Sequence, residues 1–160
     1  MTESRSLQAG LNATPAGPSV GTVLDKFEMT IEAGKVREFA RAVGDIDPAY
    51  DEPDPPVPLT FAATAAFHSR DAADLLTSLG LDLSRALHGE EEFGYELPLA
   101  AGMRLLAETR LIEQDERKGR RGGMIRRFVL QTTYTEPGGR VVLVQRRTIL
   151  ETGTSFGLQR

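Results

Sequence analysis

The feature that most constrains this sequence is its final stretch. Two runs, Met124 to Thr135 and Arg140 to Glu151, are joined by Thr135-Glu-Pro-Gly-Gly139. Side chains on a strand alternate between faces, so Phe128, Leu130, Thr132 and Tyr134 share one side of the first run. The Pro-Gly-Gly connection supplies the turn chemistry of a hairpin. Two earlier runs, Glu91 to Glu96 and Met103 to Glu113, also resemble strands with short connections, which extends the hairpin to an antiparallel meander.

The first half of the chain supplies the rest of the core. Thr22 to Ile31 alternates in part, with Phe27, Met29 and Ile31 on one face, and predicts a further strand. In Glu-Ala-Gly-Lys-Val-Arg-Glu-Phe-Ala-Arg-Ala-Val-Gly-Asp45, the residues Val36, Phe39, Ala40 and Val43 fall at helical spacing, and Gly44 supplies a stop. From Asp45 to Pro58, prolines and carboxylates forbid a continuous helix or a central strand and predict a loop. Leu59 to Gly80 is rich in helix formers and predicts one longer, largely buried helix. Helices early and an antiparallel meander late suggest an α+β fold in which one long helix packs on a curved antiparallel sheet.

With 160 residues the chain suits one domain. The polar, Gly/Pro/Ser/Thr-rich residues 1–19 read as a disordered tail without a basic leader or apolar run, 20–153 as the domain and 154–160 as a second tail. No apolar stretch reaches the roughly 18 residues that cross a bilayer, so no membrane insertion and a cytoplasmic location are expected. The absence of cysteine excludes disulfides, a thiol nucleophile and thiolate metal sites. With two scattered histidines and no phosphate-loop, dinucleotide, nucleophile-elbow or zinc-protease motif, neither a metal nor a cofactor is expected. A net charge of −4 argues against nucleic acid as a partner.

The chemistry-bearing stretch is Ala42-Val-Gly-Asp-Ile-Asp-Pro-Ala-Tyr50. It resembles the G-D-x-N-P-x-H motif of MaoC-like (R)-specific enoyl-thioester hydratases and dehydratases, a hot-dog-fold family. Pro58-Leu-Thr-Phe61 resembles the P-x-T-F that opens the family's central helix, and the likeness continues through Leu87 to Gly102 and the terminal hairpin. The resemblance puts Asp45 on the catalytic aspartate, Asp47 on the asparagine and Tyr50 on the catalytic histidine. Acid/base work on a hydroxyacyl or enoyl thioester calls for a group that titrates near neutrality, and a phenol with a pKa of about 10 is a poor substitute for imidazole.

Each candidate also has a plainer explanation. Asp45 after a helix-ending glycine makes an ordinary Asx turn, and Asp47-Pro48 makes a turn by itself. His88 matches a histidine often found before the following strand in the dehydratase branch, although a structural role explains it too, as it does His68. Arg117 to Arg127 is the densest positive stretch, with Arg120, Arg121, Gly122 and Gly123 at its centre. It suits the phosphate of a phosphopantetheine arm or of coenzyme A, or an acidic carrier protein, and equally a solvated hairpin loop. The alanines after Phe61 leave room for an aliphatic tail or simply allow close packing.

The resemblance with its missing histidine implies a substrate-binding, non-catalytic subunit of a heteromeric β-hydroxyacyl-thioester dehydratase. Its mate would be a MaoC-like catalytic subunit or a second hot-dog copy, and its substrate an acyl carrier protein or coenzyme A thioester. Asp47, Pro58, Thr60, Phe61 and the residues from Arg120 to Gly123 are then the expected binding residues. Two alternatives stand beside it. One is a self-sufficient dehydratase of fatty-acid or polyketide synthesis working through Asp45 or His88. The other is an acyl-thioester binding or regulatory module without chemistry.

Overall fold

The computed structural model describes residues 17–119 and 123–153. The expected tails therefore lie largely outside the described residues, as do Arg120, Arg121 and Gly122. Five strands, β1 (Val23–Thr30), β2 (Ala86–Tyr95), β3 (Arg104–Lys118), β4 (Met124–Thr135) and β5 (Val141–Glu151), form one sheet in the order β1-β3-β4-β5-β2. Every pairing is antiparallel. The expected hairpin is β4-β5, closed by hydrogen bonds between Glu136 and Arg140 and by Gly139 in the left-handed region at φ 86°.

Irregularities in register curve the sheet. One lies between His88 and Glu90 and another between Leu111 and Glu113, and each adds a residue on one strand that bends it. At the first, a side chain on Gly89 would meet Leu150 and the Thr148 carbonyl at 3.3 Å, so the bulge is tailored to glycine.

The concave face is covered by helical segments, but the single long helix expected over Leu59–Gly80 is divided. A 3-10 helix, Phe61–Phe67, is followed by a break and then by α2 (Ala72–Ser78). The break has a local cause. Asp71 turns its carboxylate onto the amides of Ala73 and Asp74 and starts a new helix. The amide of Arg70, left over by the first segment, donates to Asp25 on β1 at 2.8 Å.

Each half covers its own part of the core. Phe61, Ala62 and Ala65 pack with Met29, Ile31, Leu105, Tyr134 and Leu143, while Leu75 and Leu79 pack with Leu111, Phe128, Leu130 and Ile149. The small residues Ala62 and Ala65 are buried, as tight helix-on-sheet packing requires, whereas Ala66 is exposed. Within the first cluster the buried Tyr134 donates its hydroxyl to Gln145, which in turn donates to Glu91, where Arg147 also converges. A polar thread thus runs through an apolar core with its groups satisfied.

A second clamp lies at the far end of β5. Glu151, with its side chain only 4% exposed, accepts from Arg85 at 2.9 Å, from Arg126 at 2.8 Å and from the amide of Asp82 at 2.9 Å. It ties the connection before β2 to β4.

Candidate functional site

The motif is positioned by the end of α1 (Ala33–Ala42). Gly44, at φ 80°, donates to the Arg41 carbonyl, and Asp45 donates to the Ala40 carbonyl. These two bonds close the helix in a Schellman turn, in which only glycine adopts the left-handed conformation cheaply. Asp45 is consequently the first residue off a rigid helix end. Asp47 then caps a short 3-10 turn, Pro48–Asp51, accepting from the Ala49 amide at 2.9 Å, with Pro48 at its first position.

That turn brings Tyr50 back onto Asp45. The Tyr50 hydroxyl donates to Asp45 Oδ2 at 2.8 Å, while the other carboxylate oxygen accepts from the Asp47 amide at 3.3 Å. The hydrogen bond to Asp45, joined by some desolvation and by the charges of Asp45 and Asp47, raises the Tyr50 pKa above its ordinary value. Asp45 and the group in the histidine position are therefore neighbours, as the resemblance implies. The neighbour is a phenol held in its protonated form, and its proton is already committed to the carboxylate.

Sequence reasoning missed the device that holds this loop in place. Arg37 donates to the carbonyls of Tyr50 and Glu52, both at 2.9 Å, and Arg41 pairs with Asp51 at 3.4 Å. Arg37 and Arg41 are four residues apart on α1, hence on one face, and they look onto an acidic, proline-rich loop. That spacing beside that composition was the available signal.

Next to the motif, a cavity of about 500 Å³ opens between α1 and the Phe61–Phe67 helix. Met29, Phe39, Ala42, Phe61 and Phe67 make it mainly apolar, while Thr30, Glu32, Lys35, Glu38, Thr64 and His68 bring polar and charged groups to its wall. Phe39 and Phe61 meet edge to face at 5.6 Å. Ile46, within the motif, and Phe67, at the cavity, are each 88% exposed and leave apolar surface open to solvent.

The other expected residues do not all gather here. Phe61 lines the cavity, but Pro58 lines a different one of about 290 Å³ with Leu97 and Leu99, and Thr60 is exposed and caps no helix with its side chain. His88 sits on the outer strand β2, half exposed and 3.6 Å from Glu91, and forms no hydrogen bond with Asp45. Gly123 closes the β3-β4 connection by accepting from the Gly119 amide. Of the basic stretch, Arg126 is engaged with Glu151 and the Gly80 carbonyl, and Arg127 with Glu113 and Asp115. Among the described residues no cluster of histidine and carboxylate side chains is arranged to hold a metal ion, and no helix is long and apolar enough to cross a membrane.

All three tyrosines, Tyr50, Tyr95 and Tyr134, are raised above the ordinary value: Tyr50 first by its hydrogen bond to Asp45, Tyr95 and Tyr134 first by burial. Their folded pKa values lie above the unfolded ones. The stability they contribute is thus fully present below about pH 10 and is lost as pH rises through the folded values. In an absorbance titration, the folded protein is expected to form phenolate at higher pH than the urea-unfolded chain. Coincident curves would contradict the Asp45–Tyr50 and core tyrosine geometry.

A curved antiparallel sheet wrapped on helical segments, with an Asp-bearing turn beside an apolar cavity, is the hot-dog fold of MaoC-like dehydratases. The chain belongs to the family described as FAS1-like, dehydratase domain region, whose model matches residues 18–145. A UPF0336 protein of Saccharopolyspora erythraea is 33% identical over 130 residues, covering 76% of this chain and 80% of that protein. One from Streptomyces coelicolor is 41% identical over 80 residues, covering 44% of this chain and 53% of that relative. Among solved structures, the HadBC (3R-hydroxyacyl-ACP dehydratase) complex of Mycobacterium tuberculosis shares the fold at TM-score 0.62 and 22% identity, over 80% of this chain and 95% of that one. The ChsH1-ChsH2 complex of the same organism does so at TM-score 0.63 and 15% identity, over 84% and 85%.

Proposed function

We propose that this chain is the substrate-binding, non-catalytic member of a heteromeric β-hydroxyacyl-thioester dehydratase. The observation that carries the reading is the phenol of Tyr50 bonded to Asp45 where an imidazole would be needed. Dehydration takes a proton from the carbon next to the thioester carbonyl, and a base for that step must be substantially unprotonated at working pH. Tyr50 is held further from that condition than a free tyrosine.

Binding needs no such base. The apolar cavity between α1 and the Phe61–Phe67 helix suits the acyl chain, and Asp47, Pro58, Thr60 and the Arg120–Gly123 stretch would contribute to holding the thioester arm, whether of acyl carrier protein or of coenzyme A. The apolar surface at Ile46 and Phe67, beside the site, suits a mate that supplies the missing group. That two of the similar structures are two-protein complexes supports a hot-dog partner. The domain is taken as 20–153, working in the cytoplasm.

The test is hydration of crotonyl and longer enoyl thioesters by the purified chain alone, and then with a MaoC-like protein that carries a complete G-D-x-N-P-x-H motif. Turnover in the mixture and none by the chain alone is expected. Turnover by the chain alone that disappears in Asp45→Asn would overturn the assignment in favour of a self-sufficient enzyme. Thioester binding without turnover in any mixture would make it a binding module.

A further inference from the structure

The concave face of the sheet is apolar at both ends and polar across its middle. On β3, Thr109 stands between Ala107 and Leu111, and on β4, Thr132 stands between Leu130 and Tyr134. On β5, Gln145 and Arg147 stand between Leu143 and Ile149. The register sets Thr109 opposite Thr132 and Thr132 opposite Gln145, so these positions form one row that divides the two apolar clusters. Helix-on-sheet packing gives no reason for such a row, because burying polar groups costs free energy that apolar side chains would not. The row lies at the break in the helical cover. There a cavity of about 40 Å³ is walled by Ala65, Ala66 and Ser69 of the first segment and by Leu75 of α2, with Phe27 and Leu130 beside the polar groups.

Each polar atom of the row has a partner, but not each hydrogen. Thr109 and Thr132 share one hydrogen bond at 2.8 Å, and their two hydroxyls carry two hydrogens. Gln145 donates one amide N–H to Glu91 and has a second, while Arg147 holds Glu91 through Nε and Nη2 and keeps Nη1. The cavity thus has donors to spare, and the Glu91 carboxylate already balances the Arg147 charge. We infer that this cavity takes a neutral oxygen, a keto or hydroxyl group, carried on an alkyl chain. A carboxylate would add a second negative charge beside Glu91 with no cation left to pair it. The space holds one such group and not a whole chain, so the alkyl stem lies against the apolar walls. The inference rests on reading the protein as a binder of acyl thioesters, and it specifies the acyl group as one oxygenated toward its far end. The same segment that lines this cavity with Ala65, Ala66 and Ser69 lines the larger one with Thr64, Phe67 and His68.

Titration calorimetry near neutral pH tests it with the full chain. The ligands are octanoyl, lauroyl and palmitoyl coenzyme A, their terminal-hydroxyl, subterminal-keto and terminal-carboxyl counterparts, and the free hydroxy acids. At one or more lengths the hydroxyl or keto thioester is expected to bind at least about tenfold more tightly than the plain one, and the carboxyl thioester no more tightly. Thr109→Val/Thr132→Val keeps the shape and removes both hydroxyls. With its fold checked by circular dichroism, it is expected to lose that preference and keep the affinity for plain chains. Plain chains bound as tightly as oxygenated ones at every length would overturn the inference and leave the acyl-thioester reading standing, as would a preference that persists in the double variant. The preference shown by free hydroxy acids while no thioester binds would support the cavity's specificity and overturn the thioester reading. Binding of none of these ligands would overturn both.

Discussion

Replacing Glu151 by alanine is expected to cost about 3 kcal/mol of stability, enough to lower the melting temperature by roughly 10 °C in a chain of this size. The carboxylate is 4% exposed and holds two guanidinium groups and the Asp82 amide. Removing it leaves Arg85 with only Asp82 at 3.1 Å and Arg126 with only Glu116 at 3.6 Å as carboxylate partners. Both arginines keep some solvent, with side chains 34% and 26% exposed, which puts the cost at the lower end for a broken buried pair. Thermal unfolding followed by circular dichroism measures it. A loss below about 1 kcal/mol would mean that water replaces the clamp.

Tyr50→His is expected to give the chain enoyl-thioester hydratase activity at least about a hundredfold above its own background. The backbone that carries position 50 does not depend on the phenol: the Asp47 cap, Pro48 and the Arg37 hydrogen bonds to the Tyr50 and Glu52 carbonyls all remain. An imidazole introduced there lies beside Asp45 with an ordinary pKa of about 6.5 in place of about 10. Tyr50→Phe, which removes the hydroxyl and adds no base, is expected to stay at background. A folded Tyr50→His protein that binds the thioester and still shows no gain would mean that Tyr50 is not what silences the site.

The sheet was legible because period-two alternation and Pro-Gly turns are local signals. Val23–Thr30 and Met124–Thr135 fall within a residue or two of their expected limits. The central helix was harder, because alanine-rich sequence favours helix throughout and conceals where one helix ends and the next begins. Asp71-Ala-Ala-Asp74 was the available signal, a capping aspartate inside an apparently continuous helix. At the site, the Asp45–Tyr50 pair could be expected from the motif. The cavity could not, because Phe39 and Phe67 come from segments 28 residues apart whose meeting is decided by tertiary packing.

The order of strands also has a consequence in time. Strands β3, β4 and β5 neighbour one another in both chain and sheet, whereas Val23 must find Arg110 and Ala86 must find Glu151. Loop-closure entropy makes such distant pairings late events. During synthesis the half that carries Asp45 and Tyr50 leaves the ribosome first, yet β1 has no strand to pair with until β3 has emerged, and the core under it is completed only by the final hairpin.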